Sequence, residues 1–375
     1  MIPETVPRRW FLHSARHLER WDWRNSVEQG IGGSETSHVE MAWRLARRGY
    51  EVTTYAPIPE DCSGEWRGTT WRPVSATDYS QPGIWIIYRS PAEADHFDHT
   101  RKDQYLMLLM QDWDYPEWTP ERLEHFDQII CMCDWHARYT ARLYPSIKDK
   151  IILTANGVKG ELIHQNEADQ APTRNPKRLI WTSSPDRGLE YLIQAFTRAR
   201  EYVSDLELHA FYGFDNIDKL LALNPAHPYW SKSKARIMRL LTITPGVTWH
   251  GRTTQPELYR WWLSSGLWVY QTNFLETSCI SCMEAQAMGA IPIFNPVGAL
   301  AENVTWGVPI AGDAYGDPLI QARYAAEIVR MATSPDLQET IRQPMMAESR
   351  QRCDWERRVD QWASWLKPEA VHAER

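Results

Sequence analysis

Cysteine is scarce in this chain, with six among 375 residues. So few in so long a chain exclude the disulfide framework that holds small secreted domains together. Long apolar runs are also missing. The longest, such as Tyr105–Met110, fall far short of the roughly 20 residues that a membrane-spanning helix needs. No charged start followed by an apolar stretch opens the sequence, so no signal peptide is expected and a cytoplasmic setting fits. Basic excess is absent too: 41 Lys and Arg face 48 Asp and Glu, a net charge of −7, and residues 1–158 are acidic by themselves. The chain therefore has no general attraction for nucleic acid or anionic lipid. Peripheral membrane contact through a local patch stays open. No internal repeat, low-complexity tract or Asp-x-Asp dyad suited to a metal is present, so no metal and no cofactor is expected.

What is present is ordinary globular composition, 43% hydrophobic and 24% charged. The length exceeds what one hydrophobic core usually serves, so two domains are expected. Apolar runs at Trp10–Leu12, Val52–Tyr55, Ile84–Tyr88, Tyr105–Met110, Gln128–Met132 and Ile151–Leu153 alternate with helix-like segments such as Ser34–Arg48 and Trp135–Leu143. The alternation predicts a parallel sheet covered on both faces. It pauses over the polar residues 161–177, read as a linker, and restarts with Arg178–Thr182, Leu206–Tyr212, Val247–His250, Leu267–Gln271 and Ala290–Phe294. The expected division is 1–160, 178–350 and a helix within 351–375. In that helix Trp355, Val359, Trp362 and Leu366 form one stripe, predicted to pack on the N-terminal domain. In doubly wound units the site lies outside the strand carboxyl ends.

Two motifs carry chemistry. Gly30-Ile31-Gly32-Gly33-Ser34-Glu35 precedes a helix. It reads equally as a flexible turn or as a helix start that approaches an anion. The second is Glu276-Thr277-Ser278-Cys279-Ile280-Ser281-Cys282-Met283-Glu284. A helix beginning near Ser278 would leave Glu276 in the preceding loop and put Glu284 about two turns in, both facing a crevice. Carboxylates suit vicinal sugar hydroxyls, and a helix start suits a diphosphate. Two solvated surface glutamates are the plain alternative.

This segment resembles the Glu-x7-Glu signature of glycosyltransferase family 4, the group 1 glycosyltransferases. Asn156-Gly157-Val158, Ser183-Ser184-Pro185-Asp186-Arg187-Gly188-Leu189, Val247–Arg252 and Gly298, Glu302 and Val304 resemble its other segments, as does the glycine loop with Leu45–Val52. The resemblance covers nearly the whole chain. It implies an α/β GT-B fold, two Rossmann-like domains with parallel sheets facing a central cleft. The implied activity is metal-independent transfer of a sugar from a nucleotide-diphosphate donor to an acceptor, with retention. Glu276, Arg187 and Asp112 are the implied catalytic residues. Glu284 would hold the ribose, and Gly32, Gly33, Ser183, Ser184, Gly213, Gly251, Arg252, Thr277, Ser278 and Cys279 would complete the donor site. Two departures stand out. Thr182-Ser183-Ser184 lacks the arginine common before the basic phosphate ligand, and Gln111-Asp112 stands where many members have His-Asp. Other readings are a non-catalytic nucleotide-sugar or glycan-binding protein, or transfer to nucleic acid bases, for which no basic face speaks.

Other residues read more plainly. Cys279-x-x-Cys282 has no second pair at zinc spacing, so small buried residues are expected. His136 reads as a helix-start residue. Arg44, Arg47 and Arg48 read as a solvated helix face. Of twenty tryptophans, most must be core. Trp21, Trp23, Trp113, Tyr115 and Trp118, in loops after strands, could instead offer ring faces to a sugar or lipid acceptor.

Overall fold

The computed structural model describes residues 1–15, 21–113, 115, 117–169, 172–225 and 227–366. The chain forms two compact α/β units. The first comprises Met1–Ser26, Ile31–Gly157 and the segment from Trp355; the second comprises Val27–Gly30 and Val158–Asp354. Among the described residues, no helix is long and apolar enough to cross a membrane.

The first unit carries eight strands: β1 (Arg9–His13), β2 (Glu51–Ala56), β3 (Gly64–Trp66), β4 (Thr69–Pro73), β5 (Gly83–Tyr88), β6 (Gln104–Leu109), β7 (Gln128–Cys131) and β8 (Ile151–Leu153). Their spatial order is β3-β4-β2-β1-β5-β6-β7-β8. Only β3 and β4 pair antiparallel. The central strands β5 and β6 are buried at every residue, as a sheet covered on both faces requires. Gly83 permits the close pairing of β5 with β1: a Cβ there would stand 2.7 Å from the Arg9 carbonyl oxygen, at a φ of 149°.

The second unit has β9 (Asn175–Trp181), β10 (Glu207–Phe211), β11 (Val247–Gly251), β12 (Ser265–Tyr270), β13 (Ile291–Phe294) and β14 (Val308–Pro309), in the order β11-β10-β9-β12-β13-β14. All its ladders are parallel. Among the parallel strands of each sheet the chain order reverses once, between β1 and β5 and between β9 and β12. Loops leaving the carboxyl ends of such strand pairs splay apart, and that is where open α/β sheets bind ligands.

Residues 161–177, read as a linker from their polarity, are largely ordered structure. Gly160–Ala168 is helical and β9 begins at Asn175. The polar side chains there are used: Asn166 donates to the Leu162 carbonyl at 2.9 Å, and Glu167 pairs with Arg350 at 2.6 Å.

The helix Trp355–Ala363 packs within the first unit, burying Trp355, Val359 and Trp362. Trp362 stacks on Trp10 with ring centroids 6.2 Å apart, and its Nε1 donates to Thr154 at 3.0 Å. Of the three arginines read as a solvated face, only Arg47 is exposed. Arg44 is fully buried and pairs with Glu40 and, at 2.7 Å, with Glu356; Arg47 and Arg48 reach the same Glu356 carboxylate. A buried guanidinium must be paired, and a sequence period cannot show a partner 312 residues away. Glu356→Ala should therefore lower the unfolding free energy by about 3 kcal/mol, the low end for stripping one partner from a buried pair because Glu40 remains. A urea midpoint matching the native protein's at equal slope would refute this.

Candidate active site

The second unit's reversal point collects most of the residues singled out from the sequence. The loop after β9 contains Ser183, Ser184 and a short turn, Pro185–Arg187; the loop after β12 leads to Glu276. Two glycines bring the loops together. At Gly188, with φ of 120°, a Cβ would stand 2.0 Å from the Gln271 carbonyl oxygen. At Gly298, with φ of 57°, it would stand 2.7 Å from the Glu276 carbonyl oxygen, which also accepts the Ala299 N–H at 2.7 Å. Only glycine fits either place.

Arg187 Nη1 donates to Glu276 Oε1 at 2.8 Å, and the Tyr270 hydroxyl donates to the same oxygen at 2.6 Å. The guanidinium also lies 4.1 Å from the Phe274 ring centroid. Burial opposes the charge on Arg187, but the Glu276 carboxylate together with Tyr270, Tyr212 and Asp186 outweighs it and holds the group protonated well beyond its ordinary range. Burial and the same carboxylate push the Tyr270 phenol up, so it stays a donor. Thr277, Ser278 and Cys279 then lead into the helix Ile280–Met288, whose start has no side-chain cap. That helix ends at Gly289, left-handed at φ 87°. The Ser183 hydroxyl lies 3.2 Å from that of Ser281, while the Ser184 hydroxyl is engaged by Asp186.

Glu284 sits little more than one turn into this helix, because the helix begins at Ile280 rather than near Ser278. It is buried, with the Tyr259 hydroxyl and the Lys159 ammonium favouring its charge. Burial outweighs both and pushes its carboxyl up to about 7. A carboxyl held above its ordinary 4.5 stabilises the fold fully below that pH and progressively less as pH rises through about 7. Between pH 5 and 8 the native protein should lose roughly 2.5 kcal/mol relative to Glu284→Gln. Thermal melts of both proteins across that range give the measurement, and parallel pH profiles would refute the assignment.

Arg252 and Gly213 lie at the carboxyl ends of the neighbouring β11 and β10. Arg252 pairs with Asp215 at 2.9 Å and faces the Tyr212 ring at 5.6 Å. Gly251 is left-handed at φ 69°, and so is Tyr212 at φ 87°, whose carbonyl accepts Trp249 Nε1 at 3.1 Å. All six cysteines are free thiols and buried, including Cys279 and Cys282. His136 is buried in the helix Asp134–Leu143, its Nδ1 accepting the Met132 N–H at 3.2 Å.

Asp112 belongs to the first unit, where sequence reasoning missed its partner. Arg89 directly follows β5, beside that unit's reversal point, with a left-handed φ of 62°. Its guanidinium lies 3.6 Å from Glu35 and 3.7 Å from Asp112, and Nη1 donates to the Ser34 hydroxyl at 3.3 Å. Burial opposes its charge, and the two carboxylates hold it. Tyr115 donates to Asp112 at 2.6 Å, and Trp118 donates to the Arg89 carbonyl at 3.1 Å. Gly32 caps the helix Gly33–Arg47 with backbone alone. Ser34, Glu35, Arg89 and Asp112 thus form one polar group. The sequence signal was slight, a lone basic residue after the run Ile84–Tyr88.

The loop aromatics divide. Trp21 and Trp118 are buried core, and Trp23 stacks on Trp66 at 5.1 Å. Tyr115 packs edge-on against Trp118. Trp113 is 37% exposed.

Solved structures match this architecture along almost its whole length. Sucrose-phosphate synthase from Thermosynechococcus elongatus aligns with a TM-score of 0.69 at 14% identity, covering 96% of this chain and 98% of its own. HepE of Anabaena, solved in complex with UDP-glucose, gives 0.67 at 13%, covering 95% and 100%. The fold is GT-B. WaaG, a glycosyltransferase involved in lipopolysaccharide biosynthesis, shares this GT-B fold at a TM-score of 0.57 and 13% identity, covering 95% and 96%. No family model and no curated protein sequence matches the chain.

Proposed function

We propose that this protein is a retaining glycosyltransferase that moves a sugar from a nucleotide-diphosphate donor to an acceptor hydroxyl without a metal ion. One observation carries the reading: a charged arginine, Arg187, is fixed against Glu276 at the GT-B reversal point, just ahead of an uncapped helix start. Those are the groups that a departing diphosphate and a cationic sugar need. Arg187 and the amides about Cys279 stabilise the diphosphate as the bond to the sugar's C1 breaks. The Glu276 carboxylate faces the positive charge on the sugar. The acceptor oxygen bonds to C1 on the face the phosphate leaves, and its proton passes to the phosphate oxygen, so no protein nucleophile is required. Glu284 takes the ribose hydroxyls, the loops at Gly213 and Gly251-Arg252 take the base side, and Ser183 and Ser184 lie along the diphosphate. Gly32 and Gly33 serve the donor and Asp112 the catalysis, as the resemblance implies. Free, buried thiols suit a reducing cytoplasm.

The solved HepE complex makes UDP-sugars the first donors to try. A thermal-shift series with UDP-, GDP-, ADP- and CDP-glucose should single out one base, because a ligand of the native state raises the melting temperature by mass action. The selected donor should then be hydrolysed slowly without acceptor, releasing the sugar with its anomeric configuration retained by NMR. Binding without hydrolysis would identify a nucleotide-sugar-binding protein instead. An inverted product would overturn the front-side route.

A further inference from the structure

Trp113 leaves the carboxyl end of β6, and Trp135 and Tyr139 lie on the helix Asp134–Leu143 that follows the adjacent strand β7. The sheet therefore brings the three rings together. Trp113 meets Tyr139 at 6.3 Å with the ring planes at 90°, and Trp135 stacks on the same tyrosine at 5.3 Å and 23°. Arg142 lies over Tyr139 at 5.6 Å. The loop tryptophans Trp21 and Trp118 are packed away, yet Trp113 stays open to solvent beside a carboxylate. The neighbouring Asp112 is held by Tyr115 and faces Arg89.

We propose that Trp113, Tyr139 and Trp135 form the stacking platform of the acceptor subsite, and that the acceptor is a carbohydrate; this rests on the glycosyltransferase reading above. A pyranose has an apolar face of C–H groups and a rim of hydroxyls. An exposed indole with a second ring perpendicular to it covers such a face, and a carboxylate one residue away accepts hydrogen bonds from the rim. A lipid surface asks for something different, a broad apolar face with several uncompensated cations. The helix offers Arg138 and Arg142 against Asp134, and the adjoining loop adds Asp112. The chemistry is that of a small polar ring ligand.

The test uses the full-length protein with maltotriose, cellotriose and chitotriose as probes, followed by saturation-transfer NMR. At least one should bind the native protein through ring protons. Trp113→Ala and Tyr139→Ala should weaken that binding about three- to tenfold, and Trp113→Phe should restore most of it. The thermal shift given by the nucleotide-sugar donor should be unchanged in all three variants. Failure of every saccharide to bind, or equal binding by Trp113→Ala, overturns the platform. So does Trp113-dependent flotation with phosphatidylglycerol vesicles in place of saccharide binding. Because donor binding is read separately, its loss in the native protein would count against the glycosyltransferase reading and not against the platform.

Discussion

Arg187→Ala should lower kcat for sugar transfer by about 10²- to 10³-fold while KM for the donor changes much less. That is the loss expected when one preorganised donor to a developing negative charge is removed. The guanidinium is held by Glu276 and backed by Phe274, so it is in place before charge develops on the leaving phosphate. Donor hydrolysis without acceptor should fall in parallel, since the same bond breaks. Glu276→Gln gives the comparison. It retains a carbonyl oxygen for Tyr270 but lacks the negative charge. If Glu276 served only to hold Arg187, the double variant would be no worse than Arg187→Ala alone. Because Glu276 is assigned to the sugar's positive charge as well, the double variant should be slower than either single one. Unchanged kcat/KM in a folded Arg187→Ala protein would remove the arginine from the reaction.

The second large effect concerns Arg89. Arg89→Gly should reduce kcat/KM for transfer to acceptor by about 10²-fold, the scale reached when reacting groups lose their placement. Glycine is the informative replacement. Arg89 already bears the cost of a left-handed φ of 62°; alanine would keep that cost, whereas glycine adopts the same backbone without it. In the proposed reading Arg89 acts through Asp112 and Glu35 rather than on the sugar, which would make it a positioning residue. Its loss should therefore leave the thermal shift by nucleotide sugar intact, and Arg89→Lys should recover part of the rate. A purely structural role would show as a lowered melting temperature in Arg89→Gly with kcat/KM preserved in the folded fraction.

Much of this was written in local pattern. The buried runs Ile84–Tyr88 and Tyr105–Met110 announce central parallel strands because both faces of such strands are covered, and β5 and β6 lie there. Glu276 stood out by its motif spacing and Arg187 by the family resemblance, and the structure joins them at 2.8 Å. What escaped has physical reasons. The edge hairpin of β3 and β4 is short and turns through Arg67 and Gly68, both at positive φ, where asparagine would have been the clearer marker. Residues 161–169 were too polar to suggest a helix, since their side chains are satisfied by partners far along the chain, such as Arg350. Arg44 looked exposed for the same reason. Glu284 was placed too deep by the few residues that separate a helix's true start from its first plausible cap. Arg89 carries no motif, because its meaning comes from which loops the sheet order brings beside it.

The pairing of Glu356 with three arginines also bears on how the chain comes to be folded as it is made. Val158–Asp354 is almost sufficient to itself and can consolidate as soon as it emerges from the ribosome. The unit made before it cannot. Until Trp355–Ala363 arrives, the ring of Trp10 lacks its cover and Arg44 lacks its outer carboxylate. The earlier-made half must therefore wait, incompletely closed, while the later half is synthesised. During that interval its uncovered apolar surface would be open to chaperones and to aggregation.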